Sequence, residues 1–316
     1  MATIQQAQLA DLGRKNVQRG VLLWNPNDLP SVLDRMLGEK VSDTQSFILM
    51  VTYNGPDLPQ IRGPGQLPPE TDYRQKARKQ FSASKNIVKI RIDDETMSDN
   101  QYPDKMLRFG TDLRHNDAIK REIDGANAFL NYCNVTTKIS TIGGEAVASA
   151  THALSAEAAL NYGATAYSNL ISAPETPSAS LLMKARAKFM GEVNDKGFLD
   201  APGINMNVVC SPTWTVIWQM ILRSTEMFGT PNHATNEPIK AFTQDVIEAP
   251  RLTHSGWTVF VTTDKRRNPW FEFDRQNFST TPMTYAPDDT WWMNAKSRRV
   301  HGAKDFRGLV FNLQGA

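Results

Sequence analysis

The sequence predicts an α+β fold, on three observations. Apolar and polar residues alternate at period two over residues 46–53 and 87–92, the pattern of a half-buried strand. A proline-free tract over residues 104–131 carries an apolar stripe at helical spacing. A short apolar run at 205–210 passes through Ser211 and Pro212 into a helical tract, and further strand-like runs follow it. The order is therefore strand, long helix, helices, strand–helix and then strands, which argues against a doubly wound sheet of alternating units.

Composition narrows the function classes. The 316 residues correspond to about two domains and suffice for a sizeable core, because a chain of about 300 residues buries about 75% of its unfolded surface. Hydrophobic residues at 40% and charged residues at 22% are ordinary globular usage, which excludes disordered, collagen-like and low-complexity classes for the bulk of the chain. Thirty-five Lys and Arg against 33 Asp and Glu leave a formal charge of +2, so nothing global marks a nucleic-acid binder. Cys133 and Cys210 are far apart and have no metal-ligand spacing, so buried thiols in a reducing compartment are expected. Residues 1–20 lack the apolar segment of a signal peptide. No run reaches the about 18 apolar residues of a membrane span, so a soluble chain without a membrane partner is expected.

Taken in order, residues 1–45 begin helically but carry little core: Leu9, Leu12 and Val17 are thinly spaced. Residues 25–30 break the pattern with Pro26 and Pro30, and a short helix over 31–37 follows, stopped by Gly38. An arm lying across something else and a loosely packed subdomain both fit. In the first strand Phe47, Leu49, Val51 and Tyr53 share a face; in the second Val88, Ile90 and Ile92 do, with Lys89 and Arg91 opposite. Between the strands, Pro56, Pro59, Pro64, Pro68 and Pro69 deny residues 54–70 a regular element, and residues 73–85 are strongly basic. A segment this long is an extended arm or a disordered insertion.

The tract at 104–131 predicts a helix of about 42 Å at 1.5 Å per residue, with Leu113, Ile119, Ile123, Ala126 and Leu130 on its stripe. Helices are expected at 155–170 and 178–190, the latter with Leu181, Leu182, Ala185 and Phe189 inward. At 205–229 a buried strand, a Ser211 cap, Pro212 in the first turn and a Gly229 stop predict strand–helix. Strands are expected at 241–249, 257–262, 270–273 and 308–313, a charged hairpin turn at 264–267, and a short helix at 290–299.

Catalytic patterns are missing. His115, His152, His233, His254 and His301 are scattered, and Gly143-Gly144 lacks the rest of a phosphate loop. No nucleophile elbow occurs, and Asp93, Asp94, Glu95 and Asp99 lack the spacing of a calcium loop. Aromatics, by contrast, crowd the last third: Trp214, Trp218, Trp257, Trp270, Trp291 and Trp292. Large aromatics are core formers, and Trp and Tyr with Arg also anchor association surfaces.

In this order the elements resemble the major capsid (major head) proteins of tailed bacteriophages, with the Hong Kong 97-type fold. The resemblance rests on the run VVCSPTWTVIWQMILRSTEMFG at 208–229, on VIEAPRL at 246–252, which is similar to Mu-like head proteins, and on DDTWWMNAKSRRVHGAKDFRGLVF at 288–311. It implies an N-terminal arm at 1–45 and an extended E-loop with its flanking strands at 46–92. It further implies a peripheral (P) domain with a long spine helix at 93–177 and 257–300, and an axial (A) domain at 178–256 and 301–316. The implied function is self-assembly, as hexamers and pentamers, into an icosahedral head enclosing a double-stranded DNA genome. A cellular encapsulin-type compartment is the alternative use of the same fold, and a nucleotide- or metal-dependent enzyme is the alternative class. The implied partners are other copies of the chain, a scaffolding protein, a portal, in some members a decoration or cement protein, and packaged DNA held without sequence-specific contacts. No catalytic residue, metal or cofactor is implied, and the implied location is the virion shell, assembled in the bacterial cytoplasm. The candidates for contact between subunits are Arg62, Arg74, Lys76, Arg78, Lys79 and Lys85 on the basic projection, and Asp93, Asp94, Glu95 and Asp99 as acidic counterparts.

Overall fold

The computed structural model describes residues 15, 31–53, 75–95, 103–199, 205–223 and 242–313. Most of the expected arm, Arg62, Arg74, Asp99 and Gly229 lie outside the described residues. Helix α1 (Val32–Met36) opens on Ser31, whose Oγ accepts from the Asp34 N–H at 3.1 Å. Strands β1 (Glu39–Ser42), β2 (Phe47–Tyr53), β3 (Gln75–Ser82) and β4 (Ser84–Asp93) follow. Helix α2 (Pro103–Ala126) comes next and ends in a π-turn over Asn127–Asn131.

The short strands β5 (His152–Ala153) and β6 (Ala166–Tyr167) bracket helix α3 (Ala156–Tyr162). Gly163, in the left-handed region at φ 78°, stops α3 well short of the expected residue 170, because a left-handed C-cap closes a helix. Helix α4 (Ala179–Met190) starts at Ser178, whose Oγ accepts from Leu181 N–H, and it buries Leu181, Leu182, Ala185 and Phe189 as its periodicity requires. Strand β7 (Met206–Cys210) leads into helix α5 (Pro212–Arg223). Ser211 does not cap α5 with its side chain: its Oγ donates to the Ser255 carbonyl at 2.9 Å, and the helix closes on its backbone carbonyl instead.

Strands β8 (Thr243–Glu248), β9 (Trp257–Thr262), β10 (Trp270–Thr280), β11 (Thr284–Ala286), β12 (Thr290–Ala303) and β13 (Leu309–Leu313) complete the chain. The expected helix at 290–299 is therefore a strand. Its Thr, Trp and Val residues suit a pleated surface, and both of its edges are paired: antiparallel to β4 on one side, and to β10 and β11 on the other. The turn at 264–267 forms, with the Asp264 carbonyl accepting from the Arg267 N–H at 3.0 Å, but it joins strands of different sheets and is not a hairpin.

Two sheets organise the molecule. One has the order β1-β10-β12-β11 with β4 added along β12; the other runs β13-β9-β7-β8. The four-stranded sheet is buried on both faces. Met206, Val208, Cys210, Val246, Phe260 and Val310 meet Leu181, Leu182, Phe189, Trp218 and Ile221 of α4 and α5. On the other side Val209, Ile247, Val259, Val261, Leu309 and Phe311 meet Leu33, Met36, Phe129, Leu130 and Cys133. Each of these large side chains contributes about 1.5–3 kcal/mol by leaving water. The five-stranded sheet packs Ile92, Met293 and Ala295 against Leu113 of α2. Residues 304–308, between β12 and β13, are a covalent link between the sheets.

Candidate assembly surfaces

Strands β2 and β3 pair antiparallel as a two-stranded stem at the base of the segment expected to project. The strongly basic stretch from residue 75 is thus a strand. Its register sorts the side chains: Ile48 and Met50 pair with Phe81 and Lys79, while Phe47, Leu49 and Val51 pair with Ser82, Gln80 and Arg78. The first set faces the body. Phe81 stands edge-on to Phe271 at 4.9 Å, and Ile48, Met50 and Ala77 pack around that pair. The second set faces outward, with Phe47 39% and Leu49 51% exposed. An apolar stripe flanked by Arg78 therefore faces outward from a strand pair that has no second layer on that side among the described residues.

The stem is held down by its cations. Lys79 Nζ donates to Ser140 Oγ at 2.6 Å and to the Ser140 carbonyl at 2.7 Å, and it lies 4.8 Å from the Phe81 ring centroid. Burial pushes this ammonium below the usual lysine range. Lys76 Nζ lies 2.7 Å from Asp195 Oδ1, the oxygen that Arg307 Nη2 also reaches at 3.0 Å. Burial opposes the charge on Asp195, but Arg307 and Lys76 outweigh it and hold the carboxyl below the usual carboxylate range. Arg307 also donates from Nε to the Val193 carbonyl at 2.6 Å, binds Asp305, and stacks on Phe306 at 4.8 Å.

The sequence-expected contact residues separate on this frame. Lys76 and Lys79 are engaged within their own chain, whereas Arg78 and Lys85 are exposed. Asp94 accepts from Trp291 Nε1 at 2.7 Å, tying the end of β4 to β12, and Asp93 and Glu95 are exposed nearby. Lys76 therefore finds its carboxylate in Asp195, not in this acidic group. Asp195 and Arg307 carried no local sequence signal, since 112 residues separate them and no spacing rule links them.

A second network anchors the start of the described body. Glu272, fully buried in β10, receives Arg121 Nε at 2.6 Å and Nη2, and His301 Nε2 lies 3.4 Å away. The same guanidinium reaches Asp34 at 2.6 Å, and Ser31 Oγ donates to Glu122 at 2.6 Å, so the segment preceding β1 is pinned to the C-terminal part of α2. Gly125 makes room there: a Cβ on it would stand 2.3 Å from Leu33 Cδ1. On α5, Val216 and Met220 are about three-fifths exposed on the face turned away from the sheet. Among the described residues, no cluster of three or more His, Cys, Asp or Glu side chains could hold a metal ion. No described helix is long and apolar enough to cross a membrane.

Two packed sheets, a long helix across one of them and a projecting strand pair define the class: this is the fold of phage-type capsid subunits. The capsid of the native GTA particle matches at 13% identity over 90% of each chain, with a TM-score of 0.55. The mature capsid of bacteriophage PhiM1 matches at 11% identity over 91% of this chain and 88% of that one, with a TM-score of 0.54. The capsid of the empty GTA particle matches at 11% identity over 90% of each chain, with a TM-score of 0.52. A comparison with curated protein sequences finds no match. The model of the phage capsid protein family matches residues 78–312, and the chain belongs to that family. It is a major capsid protein that forms the phage head, a structural subunit and not an enzyme, and the encapsulin alternative is not favoured.

Proposed function

We propose that the subunit assembles as hexamers and pentamers into a closed icosahedral head around double-stranded DNA, with the β2–β3 projection crossing onto a neighbouring copy. The carrying observation is the outward stripe of Phe47 and Leu49, apolar and uncovered on a strand pair that builds no core of its own on that side. Contiguous exposed apolar surface of this kind marks association sites. In this reading α2 and the five-stranded sheet form the peripheral domain. The four-stranded sheet with α4 and α5 forms the axial domain, and β9 is counted with the sheet to which it is hydrogen-bonded. Among the described residues, Arg78 on β3 and Lys85 at the start of β4 are exposed cations available to a neighbour. Scaffolding protein, portal and decoration protein are partners of this assembly, which takes place in the host cytoplasm.

DNA is enclosed without being read. A net charge of +2 supplies no strong phosphate grip, so unassembled subunits should bind duplex weakly and without sequence preference. Electron microscopy of the expressed protein, with scaffold supplied, tests the assembly. Closed shells built of hexamers and pentamers are expected; a 35.4 kDa monomer as the sole species under those conditions would sink the reading.

A further inference from the structure

Besides the Phe81–Phe271 contact, two polar contacts tie the projection's stem to its own subunit, and both lead to one turn. The first point is Lys76 on Asp195, whose Oδ1 is shared with Arg307. The second is Lys79 on Ser140, at the start of a loop whose Ile142 N–H donates to the Lys304 carbonyl at 3.2 Å. That loop is held by Glu145. Its backbone carbonyl accepts from the Thr141 N–H at 2.8 Å, and its carboxylate takes His152 Nδ1 at 3.0 Å and the Ala153 N–H at 3.2 Å. His152 is fully buried and lies flat on Phe306, 3.8 Å between ring centres. Asp305, Phe306 and Arg307 thus brace both anchor points, and residues 304–308 also join the two sheets.

We infer that Asp195 and Ser140 form a two-point latch that fixes the β2–β3 stem on its own subunit, with residues 304–308 as its brace, so that the outward stripe is presented in one direction before a neighbour arrives. The stem's inward face is satisfied within the chain, which leaves Phe47, Leu49 and Arg78 as the side free to dock. A stem already held in its bound pose has less freedom to lose on association, and that saving lowers the concentration at which copies assemble. The inference rests on the crossing proposed above for its consequence in assembly, but the latch itself exists in the unassembled chain.

The test uses full-length unassembled subunits, separated from shells by sedimentation. Lys76→Gln and Asp195→Asn should speed tryptic cleavage after Arg78 and Lys79 about fivefold. That factor corresponds to about 1 kcal/mol at about 1.4 kcal/mol per tenfold. Lys76→Arg should keep the wild-type rate, and 0.5 M salt should loosen wild type and Lys76→Arg but not the two neutralised variants, because the Lys76 pair is partly exposed. The two loosened variants should also raise the critical concentration for assembly about fivefold. Unchanged cleavage in both variants overturns the latch, and faster cleavage with an equal or lower critical concentration overturns its preorganising role. Leu49→Ser separates the two readings. It leaves the latch intact and should raise the critical concentration without changing cleavage. If it leaves assembly unchanged, the crossing onto a neighbour fails, while the cleavage rates still decide the latch.

Discussion

Arg121 on α2 and Glu272 on β10 form a two-pronged ion pair in which the carboxylate is wholly buried. Burial alone would raise the carboxyl's pKa, but hydrogen bonds and charge from Arg121 and His301 hold it well below the usual carboxylate range. The pair joins the long helix to the sheet and, through Asp34, to the segment that precedes β1.

Removing one partner should cost far more than removing both. Arg121→Met leaves the buried carboxylate with only the more distant Lys40 Nζ at 3.8 Å and His301 Nε2 at 3.4 Å, and should destabilise the subunit by about 3 kcal/mol. The double variant Arg121→Met/Glu272→Met should recover most of that loss. Urea unfolding of the two single variants and the double gives the cycle, and additive losses would contradict the pairing. Because the Glu272 pKa is depressed, its contribution is present above the unfolded carboxylate pKa and disappears as pH falls below it.

Glu192 carries the opposite sign. It is buried beside the turn at 304–308, and burial pushes it up to about 8 from an ordinary 4.5, against the Gly308 N–H it accepts at 2.8 Å and the charge of Arg307. Its folded form therefore holds a proton that its unfolded form releases. The stability linked to it is complete below about pH 4.5, falls as pH rises toward 8, and is level above that. Glu192→Gln keeps the acceptor for Gly308 and removes the titration. Its stability relative to wild type should grow between pH 5 and pH 9 by on the order of 4 kcal/mol. Parallel pH curves for the two proteins would refute the assignment.

Gly125 sits where an ordinary helix would gain from alanine by about 1 kcal/mol. Here the new methyl meets the Leu33 side chain from Cγ outward, at 2.3–2.9 Å, in a site where Leu33 is 1% exposed. Gly125→Ala should therefore destabilise by about 1–3 kcal/mol. In a Leu33→Ala background the same change should be neutral or favourable. A stabilising Gly125→Ala in the wild-type background would show that Leu33 can move aside.

Phe81 anchors the base of the projection through Phe271, and Gly302 lies under both rings, where a Cβ would come within 2.6 Å of Phe271. Phe81→Ala should cost about 3 kcal/mol, and Gly302→Ala should disturb the same contact from below. Hydrogen exchange across residues 75–82 should accelerate in both variants. Protection unchanged from wild type would mean that the stem does not depend on its aromatic base.

Much of the fold is legible locally. The Ser178 cap, the α4 stripe and the β7 strand follow from neighbours a few residues apart, and α2 follows from a long periodic tract. Residues 290–299 misread as helix because their state is decided by two partner strands distant in sequence, which no window over the segment contains. The second strand of the projection was obscured by its basic composition. Its alternation is partly polar, and its long Lys stems cover apolar surface while their ends reach Ser140 and Asp195. The face of β2 that reads as apolar is the one turned outward, because an exposed apolar stripe and a core stripe have the same period. The buried charges were not legible at all: Arg121 and Glu272 are 151 positions apart, and each alone looks like a surface residue.

The two cysteines have a practical consequence. Cys133 and Cys210 are both fully buried, and burial pushes their thiols up to about 12 and about 11. A thiol that stays protonated and shielded neither alkylates nor pairs at neutral pH. The subunit should therefore react with maleimides and mild oxidants as if it had no cysteine. One cysteine introduced at Arg78 or Leu49 would be a unique address on the chain, ready for a fluorophore, a spin label or a cargo without first stripping out the native sulfurs.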